Sequence, residues 1–484
     1  MKRMSPLVLL PVCAVLALGA AADPGDGKIP VTTKSEAARK EFQQGRTLAD
    51  NLRLTDAIAH FDKALALDPG FATAELARAN VAPTAKDFRD HLDKAIALSG
   101  RASEGERLTI LAAEAGAVGN AAKSKECLEK NVALFPNDER ARFALGAFYA
   151  GQQDNARAIE VFKAAIAIAP GFPPVYNSLG YAYKTVANYP EAEKAFKKYA
   201  ELIPSDPNPY DSYAELLMKM GRFEESITQY RKALALDPHF ISATIGSAID
   251  ALYLGKPEVA TAGLTELFTR ARNDGERRQA VFVQAVVYAD QGKMDQAIQE
   301  AVKEFGIAEK IGDVAAMSAD LNFKANMLLA MGKNDEALAT FDHALELVEG
   351  SGLAPGTKQV TRLFHHANVA TVAIAKNDLA TARSEAAEFT KGTEGNQNRF
   401  QLNLTHELAG RIALAANQYD AAIAELLQAN LQDPYNLYRL SLAYKGKGDS
   451  AKASDYAGQA AHWNGLPALN YALVRNKAQQ LAAM

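Results

Sequence analysis

Residues 176–204 read YNSLGYAYKTVANYPEAEKAFKKYAELIP, and this stretch decides the fold. Its apolar side chains fall at helical spacing on both sides of the turn sequence Ala-Asn-Tyr-Pro, and Pro204 ends the second helix. Gly180 lies inside the first helix, where glycine costs about 1 kcal/mol relative to alanine. We therefore expect the second helix to cross close to Gly180, with Ala192 as the matching small surface and Phe196 filling the space beside it.

The same pattern recurs along the chain at a fixed interval. Pro136, Pro170, Pro204 and Pro238 are each 34 residues apart. Weaker copies extend in both directions, and beyond residue 277 the interval lengthens to about 40 residues or more, a spacing still within the range of stacked repeats. About twelve repeats can be counted. One helical hairpin cannot bury its apolar face alone, so the copies must stack into a continuous array.

This pattern of small residues, an aromatic residue and a proline resembles the tetratricopeptide repeat (TPR) family. The resemblance implies an all-α fold, a right-handed α-solenoid of stacked helix-turn-helix hairpins. The predicted organisation is a signal peptide at 1–22, a flexible lead-in at 23–37, an N-terminal array at 38–274, a C-terminal array with longer repeats at 275–467, and a capping helix at 468–484.

The capping helix is predicted to have one apolar and one polar face, as the end of a repeat array requires. The inward side chains would be Tyr471, Val474, Ala478 and Leu481. The outward side chains would be Arg475, Asn476, Gln479 and Gln480.

The first 22 residues have the pattern of a secretory signal. A basic pair, Lys2 and Arg3, precedes an apolar run at 7–18 and the small residues Ala20-Ala21-Ala22. We therefore predict an exported protein, periplasmic or secreted. The alternative is an uncleaved anchor, but the run is shorter than the ~18 residues of a spanning helix.

Two further features of the sequence bear on the membrane. A lipoprotein would use Cys13, but Val12 is bulkier than the small residue expected before such a cysteine. No other stretch is long and apolar enough to span a bilayer, so we expect no stable membrane insertion.

The charge argues against one class of partner, and the cysteine content indicates the role of Cys127. Removing Lys2 and Arg3 lowers the basic count from 53 to 51 against 57 acidic residues, a net charge of −6. This mild acidity argues against nucleic acid, which needs a basic surface. Cys127 would then be the remaining cysteine, and we expect it to be a small buried side chain.

The sequence shows no arrangement typical of a catalytic or metal site. His365 and His366 are adjacent, so on a helix they point in different directions. His406 begins like the zinc motif H-E-x-x-H, but Gly410 occupies the second ligand position. The glycines around Lys447 do not have the spacing of a phosphate-binding loop. We predict no metal, no cofactor and no enzyme activity.

The TPR resemblance also indicates where a ligand would bind, because members of that family present the first helix of each hairpin to a concave groove. Asp211 and Glu215 lie one helical turn apart and would make part of this groove acidic, which suits a ligand with basic or amide groups and not the C-terminal carboxylate that the co-chaperone members clamp. The expected groove residues are Arg140, Phe143, Asn177, Tyr181, Lys184, Asp211, Glu215, Met218, Asn322 and Asn326.

The resulting functional prediction is a non-enzymatic scaffold that binds a protein or an extended peptide on its concave face. The alternative is a substrate-docking or accessory subunit of an exported enzyme complex. The sequence does not separate the two.

Overall fold

The computed structural model describes residues 27–394 and 398–483, so the predicted signal peptide lies outside the described residues. Within those ranges the chain forms 25 α-helices and one 3-10 turn at Ser99–Arg101, and no residue is in a β-strand. The first 24 helices form twelve pairs, each joined by a short turn, and α25 stands alone. The prediction of an all-α solenoid of about twelve hairpins is confirmed.

The first seven pairs make up the short-repeat half of the array. They are α1 (Glu36–Asp50) with α2 (Leu54–Leu67), α3 (Ala72–Asn80) with α4 (Ala85–Leu98), α5 (Glu104–Ala117) with α6 (Ala121–Leu134), α7 (Glu139–Gly151) with α8 (Asn155–Ile168), α9 (Pro173–Thr185) with α10 (Tyr189–Leu202), α11 (Asn208–Lys219) with α12 (Phe223–Leu236), and α13 (Ile241–Tyr253) with α14 (Pro257–Arg270).

The remaining helices make up the long-repeat half. They are α15 (Asp274–Asp290) with α16 (Met294–Lys310), α17 (Val314–Ala330) with α18 (Asn334–Glu349), α19 (Pro355–Ala375) with α20 (Leu379–Thr393), α21 (Arg399–Ala415) with α22 (Tyr419–Leu426), α23 (Pro434–Lys447) with α24 (Ser450–Ala461), and α25 (Leu469–Ala482).

Helix length explains the longer interval in this half. Helices α15 to α19 have 16 to 21 residues, whereas those of the first seven pairs have 9 to 15. The core is continuous across residue 274, where we placed a boundary, because Leu264 and Leu267 of α14 pack in one cluster with Ala280 and Val283 of α15. No helix in the described part of the chain is both long and apolar enough to cross a bilayer.

Gly180 and Phe196 set the crossing of α9 and α10. A Cβ atom on Gly180 would lie 2.6 Å from Cε1 of Phe196, which is fully buried. Gly146 of α7 meets Phe162 of α8 in the same way, at 2.4 Å from Cε1. The small residue of the first helix thus makes room for the aromatic ring of the second. The atoms nearest to this position belong to Phe196, not to Ala192 as we expected.

Later helices of the array contact earlier ones directly. Thr55 Oγ1 donates to Glu276 Oε1 over 2.9 Å, across 221 positions of sequence. Asn403 Nδ2 donates to Gln153 Oε1 over 2.8 Å, across 250 positions. Because the array returns to itself in this way, its inner surface is partly enclosed and combines residues from both halves.

Helix α25 takes part in this return. Its predicted inward residues Tyr471, Val474 and Ala478 are buried, as expected. Of the predicted outward residues, Asn476, Gln479 and Gln480 are exposed, as expected. Arg475 differs, because it forms a two-pronged ion pair with Asp290 of α15, with Nε donating to Oδ2 over 2.7 Å. Helix α25 therefore bridges two parts of the array through Arg475.

The segment before α1 also differs from the expected flexible lead-in. Its described part is an extended strip held on the first hairpins. Ile29 N donates to Asp138 Oδ2 and Thr32 N donates to Glu106 Oε1, both over 2.9 Å. The side chain of Ile29 also lies against Gly105, where a Cβ atom would be 2.8 Å from Ile29 Cγ1. Backbone groups that pair with buried carboxylates explain why this polar strip is held in place.

Candidate functional site

The expected groove residues fall into two separate places on the inner surface. Arg140 and Phe143 lie on α7, Asn177, Tyr181 and Lys184 on α9, and Asp211, Glu215 and Met218 on α11. Asn322 and Asn326 lie on α17, in the long-repeat half. The structure therefore brings most of the first set together and keeps the asparagine pair apart from it.

Arg140 and Phe143 take part in packing between repeats. Arg140 pairs with Asp50 of α1, with Nη2 2.6 Å from Oδ2, and its guanidinium lies 4.9 Å from the ring centre of Phe172. Phe143 is partly buried, with its ring centre 5.8 Å from that of Phe172. Both side chains are already engaged within the chain.

Four of the remaining residues, Tyr181, Lys184, Glu215 and Met218, line one cavity of about 540 Å³. Its other walls include Lys219 of α11 and Trp463, which follows α24. We call this site the Tyr181 cavity. It forms because the loop after the last hairpin lies over α9 and α11, which are the first helices of their hairpins.

Lys184 and Glu215 of the Tyr181 cavity form an ion pair with each other. Lys184 Nζ donates to Glu215 Oε2 over 2.9 Å and lies 4.3 Å from the centre of the Tyr181 ring. Tyr181 Oη donates to Ser212 Oγ over 3.4 Å. Burial, and then the nearby carboxylates Glu215 and Asp211, raises the pKa of Tyr181 well above its usual value. The phenol is therefore a neutral hydrogen-bonding group.

Lys219 connects the cavity to the last loop. Its Nζ donates to the backbone oxygen of Trp463 over 2.5 Å and lies 4.8 Å from the centre of the Trp463 ring. Burial, and then the charge of Lys184, lowers the pKa of Lys219 to about 8. An ammonium with a carbonyl and a ring as partners fixes this loop without neutralising the charge.

Asp211 and Met218 differ from the exposed position that we expected. They are only 2% and 1% exposed, respectively. Burial, followed by repulsion from Glu215, raises the pKa of Asp211 well above its usual value, and Oδ1 of Asp211 has no hydrogen-bond partner among the described residues. The open acidic strip is thus absent, because one carboxyl is buried and Glu215 is paired with a lysine. Their role in binding stays a prediction.

Lys219 and Trp463 were missed by reasoning from the sequence. The contact between them joins positions 244 residues apart, and a repeat pattern reports only neighbouring hairpins. The one available signal was the single tryptophan of the chain, placed just after the last repeat.

A second cavity, of about 570 Å³, lies on the inner surface of the long-repeat half. We call it the arginine cavity, and its walls include Phe323, Phe364, Glu407, Arg411, Arg439 and Leu473. Helices α15, α17, α19, α21 and α23 contribute to it, and α25 lies across one side.

The two predicted asparagines lie beside the arginine cavity. Asn326 is exposed and is part of its wall. Asn322 accepts from Asn368 Nδ2 over 2.9 Å and donates to the backbone oxygen of Ser318 over 2.8 Å. Asn322 is thus already hydrogen-bonded, and of the pair Asn326 is the one that the cavity exposes.

In the part of the chain that the structure describes, no cluster of three or more His, Cys, Asp or Glu side chains is placed so that it could bind a metal ion. Cys127 of α6 is 2% exposed, which confirms the predicted burial, and this burial raises the pKa of its thiol.

Several solved structures are similar to this chain in part. A tetratricopeptide repeat protein from Parabacteroides merdae ATCC 43184 is 14% identical, with 60% of this chain and all of that chain covered and a TM-score of 0.37. MamA from Desulfovibrio magneticus RS-1 is 17% identical, with 34% and 93% covered and a TM-score of 0.29. PilW, a type IV pilus biogenesis factor, is 15% identical, with 51% and 98% covered and a TM-score of 0.31.

Among curated proteins, none matches the chain. Models of the tetratricopeptide repeat match residues 111–173, 173–206, 207–240 and 245–306. These ranges coincide with helix pairs from α5 to α16. With the repeat pattern and the paired helices, these matches show that the chain contains tetratricopeptide repeats across residues 111–306.

Proposed function

We propose that this protein is a non-enzymatic scaffold that binds a segment of another protein in the Tyr181 cavity. Tetratricopeptide repeats mediate protein interactions, which supports the general role. The observation that carries the specific site is the meeting of Tyr181, from the fifth hairpin, with Trp463, from the loop after the last hairpin, in one cavity. Tyrosine and tryptophan supply large contact areas with a polar tip and are enriched where proteins bind each other.

The rim of the cavity favours a peptide over an ionic ligand. Amide side chains Gln153, Asn155, Gln432 and Asn464 surround it, and amides can both donate to and accept from a peptide backbone. Lys184 and Glu215 already neutralise each other, and the third charged side chain, Lys219, is held by the backbone oxygen and the ring of Trp463. The preferred segment would thus be uncharged, with an apolar side chain between Tyr181 and the tryptophan.

Filling the cavity tests this proposal. Ala147 is exposed and lines the cavity, so Ala147→Trp adds a ring there without removing any packing. Ala156→Trp is the matched control, because Ala156 is equally exposed on α8 and lies outside the cavity. Partners would be captured with the native chain, identified by mass spectrometry, and titrated against both variants by calorimetry.

We expect Ala147→Trp to lower the affinity for the partner at least tenfold and Ala156→Trp to leave it unchanged. Equal affinity for the two variants would place the binding surface elsewhere on the chain.

We infer in addition that the protein is exported, on the evidence of the basic and apolar pattern in residues 1–22. N-terminal sequencing of the protein from its native host should begin near Asp23. Recovery of intact Met1 from the cytosolic fraction would reject export.

A further inference from the structure

The arginine cavity has an excess of positive charge. Arg411 and Arg439 share one carboxylate, Glu407, with Nη1 of Arg439 2.9 Å and Nη1 of Arg411 3.4 Å from the same Oε1. The three side chains are only 12% to 15% exposed. Among the residues that line the cavity, two are cationic and Glu407 alone is anionic. Two guanidinium groups at low exposure with one counter-charge are costly, so an added anion is favoured.

Both arginines have hydrogen-bond donors to spare. Nη1 of Arg411 donates to Thr371 and Glu407, and Nη1 of Arg439 donates to Glu407 and Asn436. Within the described residues, Nε and Nη2 of both arginines make no hydrogen bond, and none of these atoms is among the fully buried polar atoms that lack a partner. These donors therefore face accessible space, and a planar guanidinium edge matches a carboxylate.

The environment also disfavours the charged form of Arg411. Burial, and then the charge of Arg439, lowers the pKa of Arg411 to about 10. Asp433 is near but does not line the cavity, and its oxygens accept from Tyr435 N over 2.8 Å and from Asn470 Nδ2 over 2.7 Å. Burial, followed by repulsion from Glu407, raises the pKa of Asp433, which favours its neutral form.

Apolar walls and a roof complete the site. Phe323 and Phe364 lie on the first helices α17 and α19, whereas Leu469 and Leu473 come from α25. Because α25 is fixed to α15 by the Arg475–Asp290 pair, it closes a groove that would otherwise run along the array. The cavity volume of about 570 Å³ is in the range of small-molecule sites, roughly 300–1,000 Å³.

We propose that the arginine cavity binds a small amphipathic carboxylate. Its anionic head would lie between Arg411 and Arg439, and its apolar tail would lie against Phe323, Phe364 and Leu473. The roof formed by α25 favours a compact molecule over an extended peptide. This site is separate from the Tyr181 cavity and does not depend on the scaffold function proposed for it.

Calorimetric titration of the full chain with octanoate, and with octanol as the uncharged analogue, tests the charge requirement. We expect octanoate to bind and octanol to bind at least tenfold more weakly. Arg411→Gln leaves only Arg439 to pair with Glu407, so the affinity for octanoate should fall at least tenfold. Arg157→Gln, at an exposed arginine on α8, is the matched control and should have no effect.

A second pair of variants keeps both arginines. Ala330 is exposed and lines the cavity, so Ala330→Trp should block octanoate, whereas Ala319→Trp, at an exposed site on the same helix outside the cavity, should not. Circular dichroism checks that each variant is folded.

Absence of octanoate binding to the native chain would overturn the proposal, as would equal binding to Ala330→Trp and the native chain. Tighter binding of a peptide with a free, apolar C-terminus than of octanoate would overturn the assignment to a small molecule.

Discussion

The two cavities of the inner surface differ in how their charges are balanced. In the Tyr181 cavity Lys184 pairs with the one carboxylate, Glu215, and the second cation, Lys219, is held by the backbone oxygen and the ring of Trp463. In the arginine cavity two guanidinium groups share Glu407. Both sites are built in the same way, from first helices roofed by the C-terminal end of the chain. The comparison shows that one repeat architecture can carry cavities with differently balanced charges, because the charges on the inner helices vary independently of the packing residues.

The largest effect is expected from Glu407→Gln. This change leaves Arg411 and Arg439 side by side at low exposure without a counter-charge. We expect the free energy of unfolding to fall by about 3–5 kcal/mol, the usual effect of removing one partner of a buried ion pair. Urea unfolding followed by circular dichroism measures it. A loss below about 1 kcal/mol would show that the two arginines do not depend on this carboxylate.

A smaller effect is expected from the equivalent change in the other cavity, Glu215→Gln. Only one cation, Lys184, loses its partner, whereas Glu407 is the partner of two. The change also removes the repulsion that raises the pKa of Asp211. We expect a loss of about 1 kcal/mol in the same measurement. A loss as large as that of Glu407→Gln would contradict the difference in charge balance drawn here.

A third prediction concerns pH and Lys219. Its pKa is about 8 in the folded chain, where burial disfavours the ammonium, and about 10.4 in an unfolded chain. Between these values the unfolded chain binds more protons, so the contribution of Lys219 to stability rises with pH. Below about pH 8 the full penalty of burying the charge is present.

Thermal unfolding across this pH range should therefore show a rise in melting temperature that Lys219→Met removes. Lys194→Met, at a lysine whose side chain is 72% exposed, is the control and should retain the rise. A rise that persists in Lys219→Met would assign it to another group.

The local part of the fold could be predicted well from the sequence. The interval between prolines and the small-to-aromatic spacing report contacts within one hairpin and between neighbours, and Gly180 against Phe196 is such a contact. Even here a detail differed, since the ring of Phe196 and not Ala192 occupies the space at the glycine.

The candidate site could be predicted only in part. Tyr181, Lys184, Glu215 and Met218 do line one cavity. The burial of Asp211 did not follow from its place on the helix, because that burial depends on side chains from other repeats that surround it. A charged residue at a groove position is exposed only if no other part of the chain packs over it. The spacing of the repeats does not show which distant segments pack there.

The sequence by itself determined the repeating unit, the helix pairs and the stacking of neighbours, because these depend on side chains at most a few tens of positions apart. The tertiary structure alone decided how the array returns to itself. The contact of Lys219 with Trp463 joins positions 244 residues apart, and the contact of Arg475 with Asp290 joins positions 185 residues apart. Such pairs depend on small rotations accumulated over many repeats, which no single repeat encodes. The roofs of both cavities, and hence their ligands, follow from that accumulated geometry.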